Sequence, residues 1–100
     1  MQTTVTARHC EIPDALRETA RLVLARVVKA AHRPQRAQVV FDVDHQKKVV
    51  ELKLHLPRGT TRIATAEAAD FRTALDRAAD KLRHQLEKTS TRYVRRPVAK

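Results

Sequence analysis

A single cysteine, Cys10, rules out a disulfide within the chain and leaves no basis for a cysteine-based metal centre. Aromatic residues are nearly as scarce, with only Phe41, Phe71 and Tyr93. The core must therefore be aliphatic. Tyr93 could stack on a base, but three aromatics are too few for base stacking to be the main mode of nucleic-acid recognition. Apolar runs are short: none approaches the ~20 residues that span a bilayer. The start, MQTTVTARHCEIP, lacks the basic segment and apolar run of a signal peptide, so a cytoplasmic protein with no membrane partner is expected. Acidic residues are few, 11 against 21 Lys and Arg, which gives a net charge of +10 and a pI near 10.9. A domain this basic favours polyanionic partners.

Catalytic patterns are missing as well. His9, His32, His45, His55 and His84 are scattered over different elements with no ligand spacing, so no metal is expected. His9 and Cys10 could be drawn as base and nucleophile, but neighbouring residues of a strand point to opposite faces. Asp42 and Asp44 share one face of a strand with no cleft implied around them. The expectation is a protein that is not an enzyme, without cofactor or small-molecule substrate.

What is present is enough for one domain of 100 residues. Gln2–Arg8, rich in threonine and valine, suits a short strand. Pro13 fits a first helical turn, and Leu16, Ala20, Val23, Leu24 and Val27 follow at helical spacing, which predicts a helix to about Ala31. Pro34 disfavours helical geometry at Arg33. Ala37–Asp44 and Lys48–Pro57 then alternate apolar and polar, with Val50, Leu52, Leu54 and Leu56 on one side, and predict a strand pair joined by His45-Gln46-Lys47. Pro57-Arg58-Gly59-Thr60 is a turn holding the only glycine, and Thr61–Ala68 reads as a fourth strand.

The last element is the long one. In Asp70–Arg92, Phe71, Leu75, Ala78, Leu82 and Leu86 form an apolar stripe, with Asp70 as a cap. At about 100° per residue, Arg77, Lys81, His84, Lys88 and Arg92 fall together beside that stripe, while Asp76, Asp80 and Glu87 lie roughly opposite. Charge is concentrated here: Arg77–Lys100 holds eight Lys and Arg against two acids, whereas residues 1–30 hold five against three. A localised footprint for a polyanion follows. The paired lysines Lys47-Lys48 add charge at a hairpin tip.

The predicted fold is α+β, in the order β-α-β-β-β-α, with two helices packed on one face of a four-stranded mixed sheet. The first two strands should be parallel and the rest joined by hairpins. On that arrangement Arg26 and Lys29 of the first helix stand on one ridge and the Arg77–Arg92 row on another. Residues 1–93 form the binding domain and 94–100 a basic flexible tail.

With these elements placed, the chain resembles the ribosome hibernation-promoting factor family, also called ribosome-associated inhibitor A or ribosomal subunit interface protein. The resemblance is carried by ARHCEIPDALRE, by VVELKLHL and above all by ATAEAADFRTALDRAADKLRHQLEK. It implies a domain that binds the 30S subunit near the decoding centre, alone or in the 70S ribosome, and blocks mRNA and tRNA during starvation. Family contacts to 16S rRNA fall by matching position on Arg26, Lys29, Lys81, His84 and Lys88; Arg77 and Arg92 are added from helical geometry alone. His84 stands where arginine is expected, and Ala7 where glycine is common. Ending at Lys100, with neither a C-terminal dimerisation domain nor an acidic tail, the chain is most similar to the short hibernation-promoting branch. In that branch ribosome pairing into 100S particles depends on a separate small protein. Two other readings compete. A double-stranded RNA-binding domain has an α-β-β-β-α order contained in this one, but with a basic cluster at the start of its last helix. A protein-interaction module, such as a transcription-factor modulator, is the other.

Overall fold

The computed structural model describes the backbone of residues 2–31 and 33–98, and the side chains of these up to residue 87. The elements follow in the order β1 (Gln2–Ala7), α1 (Asp14–Val27), β2 (Arg36–Asp44), β3 (Lys47–His55), β4 (Thr61–Ala68) and α2 (Phe71–Val98), with short 3-10 turns at Val28–Ala30 and Pro57–Gly59. The four strands lie in the sheet in chain order. β1 runs parallel to β2, and β2, β3 and β4 are antiparallel. The α+β architecture expected from the sequence is therefore the one observed.

Its core follows from period-two alternation. Ala37, Val39 and Phe41 of β2, Val50, Leu52 and Leu54 of β3, and Ala64 and Ala66 of β4 are buried on one face. Both helices cover that face, with Leu24 and Val27 of α1 and Leu75, Ala78, Leu82 and Leu86 of α2 in the same cluster. Small alanines under α2 let that helix approach β4 closely. Phe41 is fully buried and meets Phe71 edge-on, with ring centroids 5.3 Å apart. Two of the three aromatics thus belong to the core; the Tyr93 side chain lies outside the described residues. The opposite sheet face is open, as the alternation in β3 implies.

Boundaries depart from expectation in instructive places. β1 stops at Ala7, because His9 adopts a left-handed backbone (φ 56°) that no strand can hold. α1 ends at Val27, and the stripe continues in a tighter 3-10 turn, which period alone does not separate from α-helix. Arg33 leaves the helical region, as Pro34 requires, but into left-handed geometry (φ 55°). The β2–β3 loop is two residues, not three: His45 (φ 51°) and Gln46 (φ 69°) are both left-handed, the signature of a type I′ turn, and Lys47 already belongs to β3. Leu56 lies just past the end of β3 and is half-buried. At the other end, α2 is capped as predicted. Asp70 accepts from the Thr73 N–H and the Thr73 hydroxyl, each at 2.9 Å. These bonds hold its carboxyl below the ordinary aspartate range.

Candidate nucleic-acid interface

A helix lying antiparallel to an edge strand advances about 6 Å in four residues, close to the ~6.7 Å that two strand residues cover. α2 and β4 use this match. The Arg77 guanidinium donates to the Glu67 carbonyl at 3.0 Å, the Lys81 ammonium to the Thr65 carbonyl at 2.8 Å, and the Gln85 amide to the Ile63 carbonyl at 2.9 Å. β4 is one of the two edges of the sheet, and residues 63, 65 and 67 turn backbone groups not used by β3 outward. Three rungs of a side-chain ladder satisfy their carbonyls. Arg77 and Lys81 therefore stand on the β4 flank of α2, both exposed, each with further N–H donors directed to solvent.

The acids of the same helix face the other way. Arg72 pairs with Asp76 at 3.2 Å, and Arg83 bridges Asp80 at 3.5 Å and Glu87 at 3.9 Å. Asp76, Asp80, Arg72 and Arg83 line the groove between α1 and α2. Arg72 and Arg83 there are each offset by a carboxylate, whereas no carboxylate stands within ion-pair distance of Arg77, Lys81 or His84 among the described residues, Arg77 feeling only the more distant Asp70. The helix therefore carries a neutralised flank towards α1 and an uncompensated positive flank over β4. That segregation is electrostatic, and it is what an anionic surface would sense.

The expected residues fall into three groups. Arg77, Lys81 and His84 are brought together on the exposed flank; His84 has no hydrogen bond or ion pair among the described residues. Arg26, in the last turn of α1, lines the interhelical groove with Asp76 and Asp80 instead of standing on an outer ridge of its own, and Lys29 is exposed in the 3-10 turn beyond it. The side chains of Lys88, Arg92 and residues 94–100 lie outside the described residues; the backbone of 94–98, expected as a tail, continues α2.

Gln85 was missed by the sequence reading because its partner is a backbone carbonyl, which leaves no mark in the side-chain pattern. Its i, i+4 relation to Lys81 is the only signal that could have found it. The hairpin tip also reaches the row. Lys47 pairs with Glu67 at 3.1 Å, and both line one groove with Arg77, while the Lys48 ammonium lies 5.4 Å from the Phe71 ring centroid.

The catalytic pairings drawn from the sequence do not form. His9 Nδ1 meets Asp42 Oδ1 at 3.0 Å, and Cys10 Sγ points to the Phe41 carbonyl at 3.7 Å. The strand argument for their separation is replaced by a bend that turns His9 towards β2. His9 and the Val43 N–H together hold the Asp42 carboxyl below its ordinary range. Asp44 bonds His45 at 2.6 Å, so the two aspartates serve different partners. No cluster of three or more metal-ligating side chains occurs among the described residues.

Comparison with known proteins bears on the family and the fold. The sequence profile described as Sigma 54 modulation protein / S30EA ribosomal protein matches residues 3–94. Over 88 residues the chain is 35% identical to the ribosome hibernation promoting factor of Pseudomonas putida, covering 88% of this chain and 85% of that protein. Over 96 residues it is 31% identical to the factor of the same name in Azotobacter vinelandii, covering 96% and 89%. A ribosomal subunit interface protein from Coxiella burnetii superposes with a TM-score of 0.83 at 30% identity, covering 91% of this chain and 99% of that one. The N-terminal domain of Thermus thermophilus Protein Y superposes with a TM-score of 0.74 at 31% identity, covering 86% and 94%. In sequence over nearly its full length, and in strand order and helix placement, this chain belongs to the Sigma 54 modulation protein / S30EA ribosomal protein family.

Proposed function

We propose that this protein is a ribosome hibernation factor of the cytoplasm. It binds the 30S subunit near the decoding centre, free or within the 70S ribosome, and inhibits translation by occupying the path of mRNA and tRNA. The observation that carries this reading is the uncompensated row Arg77, Lys81 and His84, continued in sequence by Lys88 and Arg92. It lies on a chain whose relatives are named ribosome hibernation promoting factors. Arg26 and Lys29 supply a second group of contacts from α1. The contacts are to 16S rRNA phosphates, which position the domain without reading sequence. The action is steric, so no catalytic group or cofactor is required. Ribosome pairing into 100S particles is left to a separate small factor.

Co-sedimentation with 30S, 50S and 70S particles tests this directly. The protein pellets with 30S and 70S, and the double reversal Lys81→Glu with Lys88→Glu weakens that binding. Unchanged sedimentation of the reversed variant would remove the α2 row from the interface. The double-stranded RNA reading is disfavoured by the start of α2, where Arg72 is already paired with Asp76. The family description also mentions Sigma 54 modulation, which keeps a protein-interaction reading open to the same assay: a domain that leaves all three particles in the supernatant would favour it.

A further inference from the structure

A second polar site lies on the sheet face that the helices leave open. At the end of the sheet, strand register places Gln2, Arg36, His55 and Thr61 in one transverse row, a residue from each strand. All four line a groove of about 410 Å³, closed at one end by the Leu56–Thr61 segment. His55 Nε2 is buried in the structure with no hydrogen-bond partner, the only described side-chain nitrogen or oxygen in that state. Such an atom is ordinarily satisfied, and leaving it bare is unfavourable. Beside it Arg36 is exposed and carries no hydrogen bond or ion pair among the described residues. No carboxylate lines the groove. The groups that do are donors or can donate: a guanidinium, an imidazole N–H, the hydroxyls of Thr60 and Thr61, and the amide of Gln2. Gly59 keeps one wall low, since no heavy atom lies within 4 Å of the place a Cβ would take.

We infer that this groove is an oxyanion site of the phosphate class. Donors from β2, β3 and β4 stand side by side on one floor, so a tetrahedral group, with oxygens pointing several ways, can take bonds from more than one of them. Arg36 supplies the charge, with a geometry able to hold two oxygens, and a turn of the His55 ring that uncovers Nε2 lets its Nε2–H tautomer donate one bond. The site is on the opposite side of the sheet from the α2 row and does not depend on that row for its chemistry. Its phosphate can come from an RNA phosphodiester or from a free phosphate group, and the two sources separate by experiment.

The test follows the His55 imidazole by long-range proton–nitrogen correlation in the full-length protein, as inorganic phosphate replaces chloride at constant ionic strength. A parallel titration uses a short single-stranded RNA. The His55 Nε2 resonance is expected to move and saturate. Arg36→Ala is expected to weaken the apparent affinity about tenfold, the worth of one charge-assisted contact. Saturation with inorganic phosphate identifies a site open to free phosphate, and saturation with RNA alone identifies a phosphodiester site. A His55 resonance that saturates with neither, or a shift left unchanged by Arg36→Ala in a variant with a native amide spectrum, would overturn the assignment.

Discussion

Single residues carry distinct loads in this fold. Asp70 closes the first turn of α2 through two bonds to Thr73, and the charged carboxylate is the form that accepts them. Its folded pKa is lowered, so its contribution to stability is present above the unfolded aspartate value near ~3.9 and is lost as pH falls through the lower folded value. Asp70→Ala should therefore lower the melting temperature at neutral pH, and the difference from wild type should shrink in melts taken below about pH 3.9. Phe41 is fully buried against Phe71, and Phe41→Ala should cost about 3–5 kcal/mol in chemical denaturation through the cavity it leaves. Gly59 is retained for conformation (φ 73°) and not for packing, so Gly59→Ala should cost only about 1 kcal/mol. Both the cap and the aromatic were legible, the first from an aspartate preceding the periodic run and the second from the apolar side of an alternating strand. His55 was not. It stands on the polar side of β3, where alternation predicts solvent, yet the fold buries its Nε2.

At the scale of elements, legibility tracks how much of a signal is carried by side chains. β3 was readable because Val50, Leu52 and Leu54 repeat every second residue, whereas β4, whose alanines suit either state, was read from Arg62, Ile63 and Thr65 between a turn and a helix start. The two-residue hairpin loop was misjudged because His45-Gln46 lacks the glycine that usually marks left-handed turns. The α2–β4 ladder was invisible, since its acceptors are main-chain carbonyls. Its presence at a free edge has a testable consequence. Unprotected edges template pairing with other chains, and charged side chains are a common guard. The triple variant Arg77→Ala, Lys81→Ala, Gln85→Ala should show stronger concentration-dependent association than wild type in sedimentation velocity. If the variant associates no more than wild type, the ladder does not guard the edge.

For the whole molecule, asymmetry of charge is the organising property. Cations on the α1-facing side of α2 are matched by Asp76, Asp80 and Glu87, and those over β4 are not. Binding through about four phosphate contacts should weaken roughly a hundredfold between 50 and 200 mM salt, measured by particle co-sedimentation. A flat salt response would point instead to an apolar protein interface. The direction of this asymmetry and the separation of Arg26 from the α2 row were legible from 100° geometry, but the turn of Arg26 into the interhelical groove was not, because it depends on how the two helices lie against each other. The ladder also bears on timing. A long cationic side chain that is free in solution surrenders up to about 2 kcal/mol of rotamer freedom when it is fixed on a partner. Arg77 and Lys81 are already held by the carbonyls of Glu67 and Thr65, and each retains spare donors. Part of the ordering that docking demands has thus been completed when the chain folds, and the domain meets its target as a rigid comb with teeth already set.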